Sequence, residues 1–230
     1  MLKRFWLLLF LLISLSGSAQ LYDSLHSYLK KPPWVVGGIG SVQSFFYGYK
    51  APIGYASIGI SFAGRLRFGI GYCKLLTPKY DGKILEDQIP FYENKILLNS
   101  SGITDTIPAK LHFQYFMYYM QYVFYKTKHW SFSVPLRFGF GQTKYNYSFE
   151  GSETDEQKHF MFIYHPAVAF DYAIFRWLGF YTELGYKFTV IDLKNIKKNF
   201  NSPVYSFGLF LYYSEIYKMC FPNSKWAKKL

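Results

Sequence analysis

Residues Trp130–Gln142 read W-S-F-S-V-P-L-R-F-G-F-G-Q. Trp130, Phe132, Val134, Leu136, Phe138 and Phe140 share one parity, and Ser131, Ser133, Pro135, Arg137, Gly139 and Gly141 share the other. Successive side chains of a β-strand point to opposite faces, so this spacing predicts a strand with one bulky apolar face and one small or polar face. A strand of a soluble sandwich typically runs only about 5–6 residues. Here the apolar row is aromatic and the alternation is sustained through the whole stretch. The pattern predicts a wall strand of a transmembrane β-barrel, with lipid outside and a polar or crowded interior.

The same alternation recurs on both sides of this stretch. It predicts strands at Val35–Tyr47, Ile53–Ala63, Arg65–Leu76, Lys110–Tyr125, Trp130–Phe149, His159–Phe175, Leu178–Asp192 and Ser202–Tyr213. Leu66, Phe68, Ile70 and Tyr72 are expected to face out on the third, and Phe160, Phe162, Tyr164 and Val168 on the sixth. Neither parity of Val35–Tyr47 is cleanly apolar. Lys110–Tyr125 mixes parities near Met120–Tyr122 and Trp130–Phe149 changes phase near Thr143, where bulges are expected. Ala63-Gly64, Lys126–His129 and Phe175–Trp177 are tight connections, Thr77–Ala109 and Glu150–Lys158 are long and polar, Leu193–Asn201 is intermediate, and Gly48–Pro52 breaks the alternation by being short. Outer-membrane barrels combine short periplasmic turns with longer outside loops. With a periplasmic N-terminus, eight strands put every tight turn and the C-terminus on the periplasmic side.

The chain opens Met-Leu-Lys-Arg, runs apolar from Phe5 to Leu15 and reaches small residues at Gly17 and Ala19. This is the pattern of a secretory signal peptide over 1–19, cut before Gln20. The apolar run is too short to span a bilayer. Residues 20–33 then form an N-terminal periplasmic segment, 34–214 the barrel and 215–230 a basic tail with Lys218, Lys225, Lys228 and Lys229. Tyr22–Lys31, ahead of Pro32-Pro33, is expected as a short amphipathic helix. Half of the residues are hydrophobic, with 23 Tyr and 24 Phe, a composition suited to strands and membrane interfaces rather than to Leu-rich spanning helices. Cys73 and Cys220 are too few for a disulfide framework, and no spacing suggests a metal site or a cofactor. The net charge of +12 falls to +10 without Lys3 and Arg4. Its basic residues are dispersed over turns and tail, which argues against nucleic acid.

The inward positions collect Arg65, Arg67, Arg137, His165, Asp171, Glu183 and Lys187, mostly close to tight turns, so they are expected to share one layer of the interior. An eight-stranded barrel is wide enough only to be filled by side chains, and charges inside it must be paired. A salt-bridged plug is therefore expected rather than a conduction path. Thr77–Ala109 is net acidic and carries many apolar residues. Asp81, Glu86, Asp87, Phe91, Tyr92 and Glu93 are its candidates for contact with lipopolysaccharide or a surface partner. Ser100, Ser101, Ser148, Glu150, His112 and His159 lie at the level where an acyl-transfer site would stand, but no spacing among them picks out a triad. A soluble lipocalin-like carrier is disfavoured because the aromatic face points out and Gly, Ser and charge point in.

With its signal peptide, eight alternating strands, aromatic outer face and short/long loop rhythm, the chain resembles the small eight-stranded outer-membrane barrels of the OmpA/OmpX-type superfamily of Gram-negative bacteria. The resemblance covers nearly all of the mature chain and concerns architecture. It implies an all-β, closed, antiparallel, up-and-down transmembrane β-barrel in the outer membrane, with lipids, lipopolysaccharide and the barrel-assembly machinery as partners. It also implies a non-enzymatic structural or surface role carried by the outside loops. The alternative on the same fold is a lipid A-modifying deacylase or acyltransferase. Such barrels usually end on an aromatic residue. Here Tyr213 takes that place and a tail follows it.

Overall fold

In a computed structural model, which describes residues 24–46, 49–77, 91–98, 104–149, 152–155, 158–191 and 200–224, the alternating segments form the walls of one closed sheet. The elements are α1 (24–29), β1 (Pro33–Phe46), β2 (Tyr49–Phe62), β3 (Leu66–Leu75), β4 (Tyr92–Leu98), β5 (Thr104–Lys126), β6 (Trp130–Phe149), β7 (Ser152–Asp155), β8 (His159–Ala173), β9 (Leu178–Ile191), β10 (Ser202–Tyr212) and α2 (Tyr213–Cys220). The hydrogen-bonded order β5-β3-β2-β1-β10-β9-β8-β6 returns from β6 to β5, so eight antiparallel strands close a ring. Closure leaves the eight-stranded ring without an edge, which is what a backbone surrounded by lipid requires. Among the described residues no helix is long and apolar enough to cross a membrane.

β4 and β7 stand outside the ring. β4 pairs with the first residues of β5, from Tyr92↔Lys110 to Leu98↔Thr104, and β7 pairs with the end of β6, from Asn146↔Asp155 to Phe149↔Ser152. Both long connections thus contain short hairpins at one end of the barrel. The tight turns after β2, β5 and β8 lie at the other end, while the β1–β2 ladder, which runs to Phe46↔Tyr49, leaves only a two-residue connection on the long-loop side. At the Ala63-Gly64 turn both residues have positive φ, 53° and 64°, and Arg65 N donates to Phe62 O at 2.9 Å. Positive φ at both central residues is the geometry whose twist matches paired strands.

The outer wall is apolar and aromatic. Phe116 is 66% exposed, and its neighbours Tyr118, Phe138, Phe140 and Phe160 stand on the same outer surface. β1 looks ambiguous in sequence because its outer row, Val35, Ile39 and Phe45, is interrupted by Gly37, Ser41 and Gln43. Two irregularities expected from the sequence lie elsewhere or do not exist. The β5–β6 register shifts between Val123 and Tyr125, not at Met120–Tyr122. Near Met120 the parity only looks mixed, because the inner row of β5 is itself aromatic at Tyr115 and Tyr119. At Thr143 β6 keeps its register with both neighbours. What changes there is the medium. The outward row turns polar at Gln142, Lys144 and Asn146, while the inward row turns apolar at Tyr145.

The interior is divided along its length into a charged half and an apolar half. The tight-turn half holds the buried ion pairs. The long-loop half holds an apolar cluster that includes Ile53, Leu111, Phe113, Met161, Ile163 and Phe200. Phe113 stacks on Phe200 with ring centroids 5.4 Å apart.

Candidate functional site: the barrel interior and its long-loop rim

Arg67 and Asp171 lie one and two residues inside the tight-turn end, on β3 and β8, far apart in the chain and opposed across the interior. Arg67 Nη1 donates to Asp171 Oδ2 at 2.8 Å and Arg67 Nη2 to Tyr212 OH at 3.0 Å. Ser131 Oγ donates to the same carboxylate oxygen at 3.1 Å. A second unit lies further up. Arg137 forms an ion pair with Glu183, and Tyr181 OH bonds both partners. His165, cross-strand neighbour of Arg137, has Nε2 3.8 Å from Glu183 Oε1. A cavity of about 60 Å³ lies between these units, lined by Tyr55, Arg67, Tyr119, Arg137 and Tyr181 among others. Lys187 is higher again. Its Nζ donates to Ser44 Oγ at 2.7 Å and sits 5.2 Å from the Phe113 ring, within the apolar cluster.

The expected single layer is therefore three levels: Arg67 with Asp171, Arg137 with Glu183 and His165, and Lys187 among serines. Parity fixes which face a residue takes but not its height, because the strands are offset around the ring. Arg65 does not join the interior at all. Its Nη1 donates to Val123 O at 3.2 Å and Phe124 O at 3.1 Å, carbonyls at the β5 bulge that the interrupted ladder leaves to a side chain.

The loop candidates divide as well. Phe91 and Tyr92 are buried, 3% and 6% exposed, in the apolar cluster beside Leu111 and Phe113. They close the barrel mouth and are not available to a surface partner, a correction whose reason is that the mouth offers aromatic side chains more burial than the loop does. Phe91 O accepts from Leu111 N at 2.7 Å, which ties this end of the loop to β5. Glu93 is partly exposed and its Oε1 lies 3.9 Å from Lys95 Nζ. Asp81, Glu86 and Asp87 lie outside the described residues, as do residues 1–23, where the signal peptide is expected, Ser100, Ser101, Glu150 and the residues beyond Ser224. The apolar half of the interior was not expected, although the inward apolar positions Leu111, Phe113 and Ile163 carried its signal.

The described residues weighed for acyl-transfer chemistry do not converge. His112 stands on the outward row of β5, His159 on the inward row of β8 with β6 between them, and Ser148 on the exposed outer side of β6. Cys73 is buried and Cys220 exposed, both as free thiols.

A closed, eight-stranded, up-and-down barrel with an apolar outer belt is the architecture of the small outer-membrane barrels. No family model and no curated protein matches the sequence. Solved structures similar in fold include Neisserial surface protein A, at 12% identity and a TM-score of 0.46 over 78% of this chain and 96% of that one. Ail of Yersinia pestis is similar at 11% identity and 0.41 over 78% and 96%. The N-terminal β-barrel domain of Pseudomonas aeruginosa OprF is similar at 9% and 0.40 over 78% and 98%.

Proposed function

We propose that this chain is a closed, non-enzymatic barrel of the outer membrane that serves as a structural or surface-presenting scaffold, with its tight turns in the periplasm and its long-loop end outward. The observation that carries this reading is the filled interior. Paired charges occupy the tight-turn half, the apolar cluster occupies the other half, and Phe91 and Tyr92 cover the mouth. A bore filled in this way gives a solute no path, so function falls to the wall and to the loops, where binding residues gather. Reconstituted in planar bilayers, the protein should show no stepwise conductance. Stable channels of defined size would overturn the scaffold reading.

Orientation has its own test. Cys220 is exposed beyond the tight-turn end and Ile96 is 71% exposed on the long-loop hairpin. In intact cells a bulky, impermeant maleimide should label an Ile96→Cys variant and leave the wild-type protein unlabelled until the outer membrane is opened. Labelling of wild-type Cys220 in intact cells would reverse the assignment.

A further inference from the structure

The wall forks on either side of the β5–β6 pair: β6 leaves β8 at Thr143↔His159 and takes up β7 from Asn146↔Asp155, and β5 forks in the same way. The β3–β5 ladder ends at Lys74↔Gln114 and the β4–β5 ladder begins only at Tyr92↔Lys110. Between the two, the end of β3 follows β2 instead, with Leu76 N donating to Pro52 O at 2.8 Å. A hollow of about 330 Å³ opens at this fork, lined by Lys74, Leu76, Lys110, His112 and Gln114 among others. A second hollow, of about 620 Å³, adjoins it on the outer wall of β10, β1, β2 and β3. Its sides are Ile39, Leu209, Tyr72 and Leu76, its floor includes Ala56 and Gly54, and it shares Lys74 and Leu76 with the first.

The pair has the shape of an amphiphile: an apolar trough in the lipid-facing wall that runs into a basic hollow at the rim. We propose that it binds one lipid A molecule of the surrounding leaflet, with an acyl chain along the trough and a phosphate held by Lys74, Lys110 and His112. The proposal rests on the reading that the long-loop end faces outward, where the leaflet is built of lipopolysaccharide.

Charge complementarity favours this occupant. Outward positions toward the long-loop rim on β9 and β10 are Val190 and Pro203, which offer an anion nothing. The basic residues lie on the arc from Lys50 of β2 through β3, β5 and β6 to Lys158 at the start of β8, and Lys144 of β6 is the cross-strand partner of His112. Lipid tails are as apolar as the trough, so burial alone selects no occupant in a bilayer. Selection falls to shape and to charge-assisted hydrogen bonds with phosphate, which are the strong kind. A soluble anion would use the fork and leave the trough without a role.

The test uses the full chain, folded in detergent, with heat-modifiable gel mobility confirming the barrel in every variant. Binding is titrated with lipid A, dephosphorylated lipid A and phosphatidylglycerol. Lipid A should bind best. The double variant Lys74→Gln/Lys110→Gln should weaken it by roughly tenfold or more, the factor that loss of a charge-assisted contact commands. Ala56→Phe, which fills the trough from an exposed position, should weaken lipid A while leaving the barrel folded. Lys128→Gln, at the tight-turn end, should change nothing. Unchanged lipid A affinity in the double variant, equal binding of the dephosphorylated form, or no preference over phosphatidylglycerol would each overturn the proposal. Because the titration is done in micelles, it stands or fails independently of the maleimide test of orientation.

Discussion

Ala63 holds the left-handed backbone region at φ 53° in the two-residue turn before Gly64. An L-residue with a Cβ meets its own carbonyl there, at a cost of roughly 1–2 kcal/mol, which Asn tolerates better. Ala63→Asn should therefore raise the unfolding midpoint by about 1 kcal/mol in urea titrations; a lower midpoint would show that Ala63 makes a contact worth more than the strain. The buried charges are a sharper case. Glu183 is 2% exposed and lies with Arg137 and Tyr181. Arg137→Ala strands that carboxylate, and breaking a buried pair costs about 3–5 kcal/mol. Removing Glu183 as well should recover part of the loss, whereas Arg137→Ala and Asp171→Ala should add independently, since Asp171 is held by Arg67 and Ser131. Coupling of Arg137 to Asp171 in that double-mutant cycle would contradict the separation into two units.

Strands carry the legibility of this fold, and the reason is period. Trp130–Phe149 is the same range in sequence and structure, because inside and outside are chemically different along most of its length. That contrast can be measured one residue apart. Phe138 faces out, so Phe138→Arg should destabilise by about 2–4 kcal/mol in lipid. At Gly139 an added Cβ would lie 2.6 Å from Tyr115 Cδ2, so Gly139→Ala must push a packed ring aside and should also destabilise. A silent Phe138→Arg would reverse the wall. Period alone failed where the media changed. Beyond Thr143 the outward side chains leave the apolar belt while those inside enter the plug, and the inversion mimics a slip of one residue. It also failed at β4 and β7, short hairpin strands whose alternation is embedded in polar loops. Arg65 was legible as inward by parity but not as the ligand of a bulge, since the bulge itself carries no sequence mark. Partner choice lay beyond reach for a related reason: Arg67 meets Asp171 across 104 positions of chain, and only the stagger of the closed ring sets which charges share a level.

At the scale of the whole molecule, closure is a property of both ends. The ring is sealed where β1 pairs β10 through Val36↔Tyr212 to Gln43↔Tyr205. Just past that ladder Val35 N donates to Ser214 Oγ of α2 at 3.0 Å, and Lys218 Nζ lies 4.9 Å from the Trp34 ring. The helix after the last strand thus fastens the seam at the tight-turn end. The mouth is fastened differently, by side chains that the long connection contributes to the interior. This makes part of that connection structural and part of it dispensable. Phe91 is buried in the plug, so Phe91→Ala should cost about 3–5 kcal/mol, the usual range for removing a buried aromatic ring. Ile96 lies five residues on in the same connection and is 71% exposed, so Ile96→Ala should leave the midpoint unchanged within ~0.5 kcal/mol. Replacing Lys79–Thr106 by a short Gly/Ser turn removes Phe91 and Tyr92 together with the exposed hairpin, and should lower the midpoint by at least as much as Phe91→Ala. Urea titration of the folded barrel in lipid reads all three. If the full replacement were as stable as the wild type, the plug would hold without its cover, and the whole connection would be free for surface recognition.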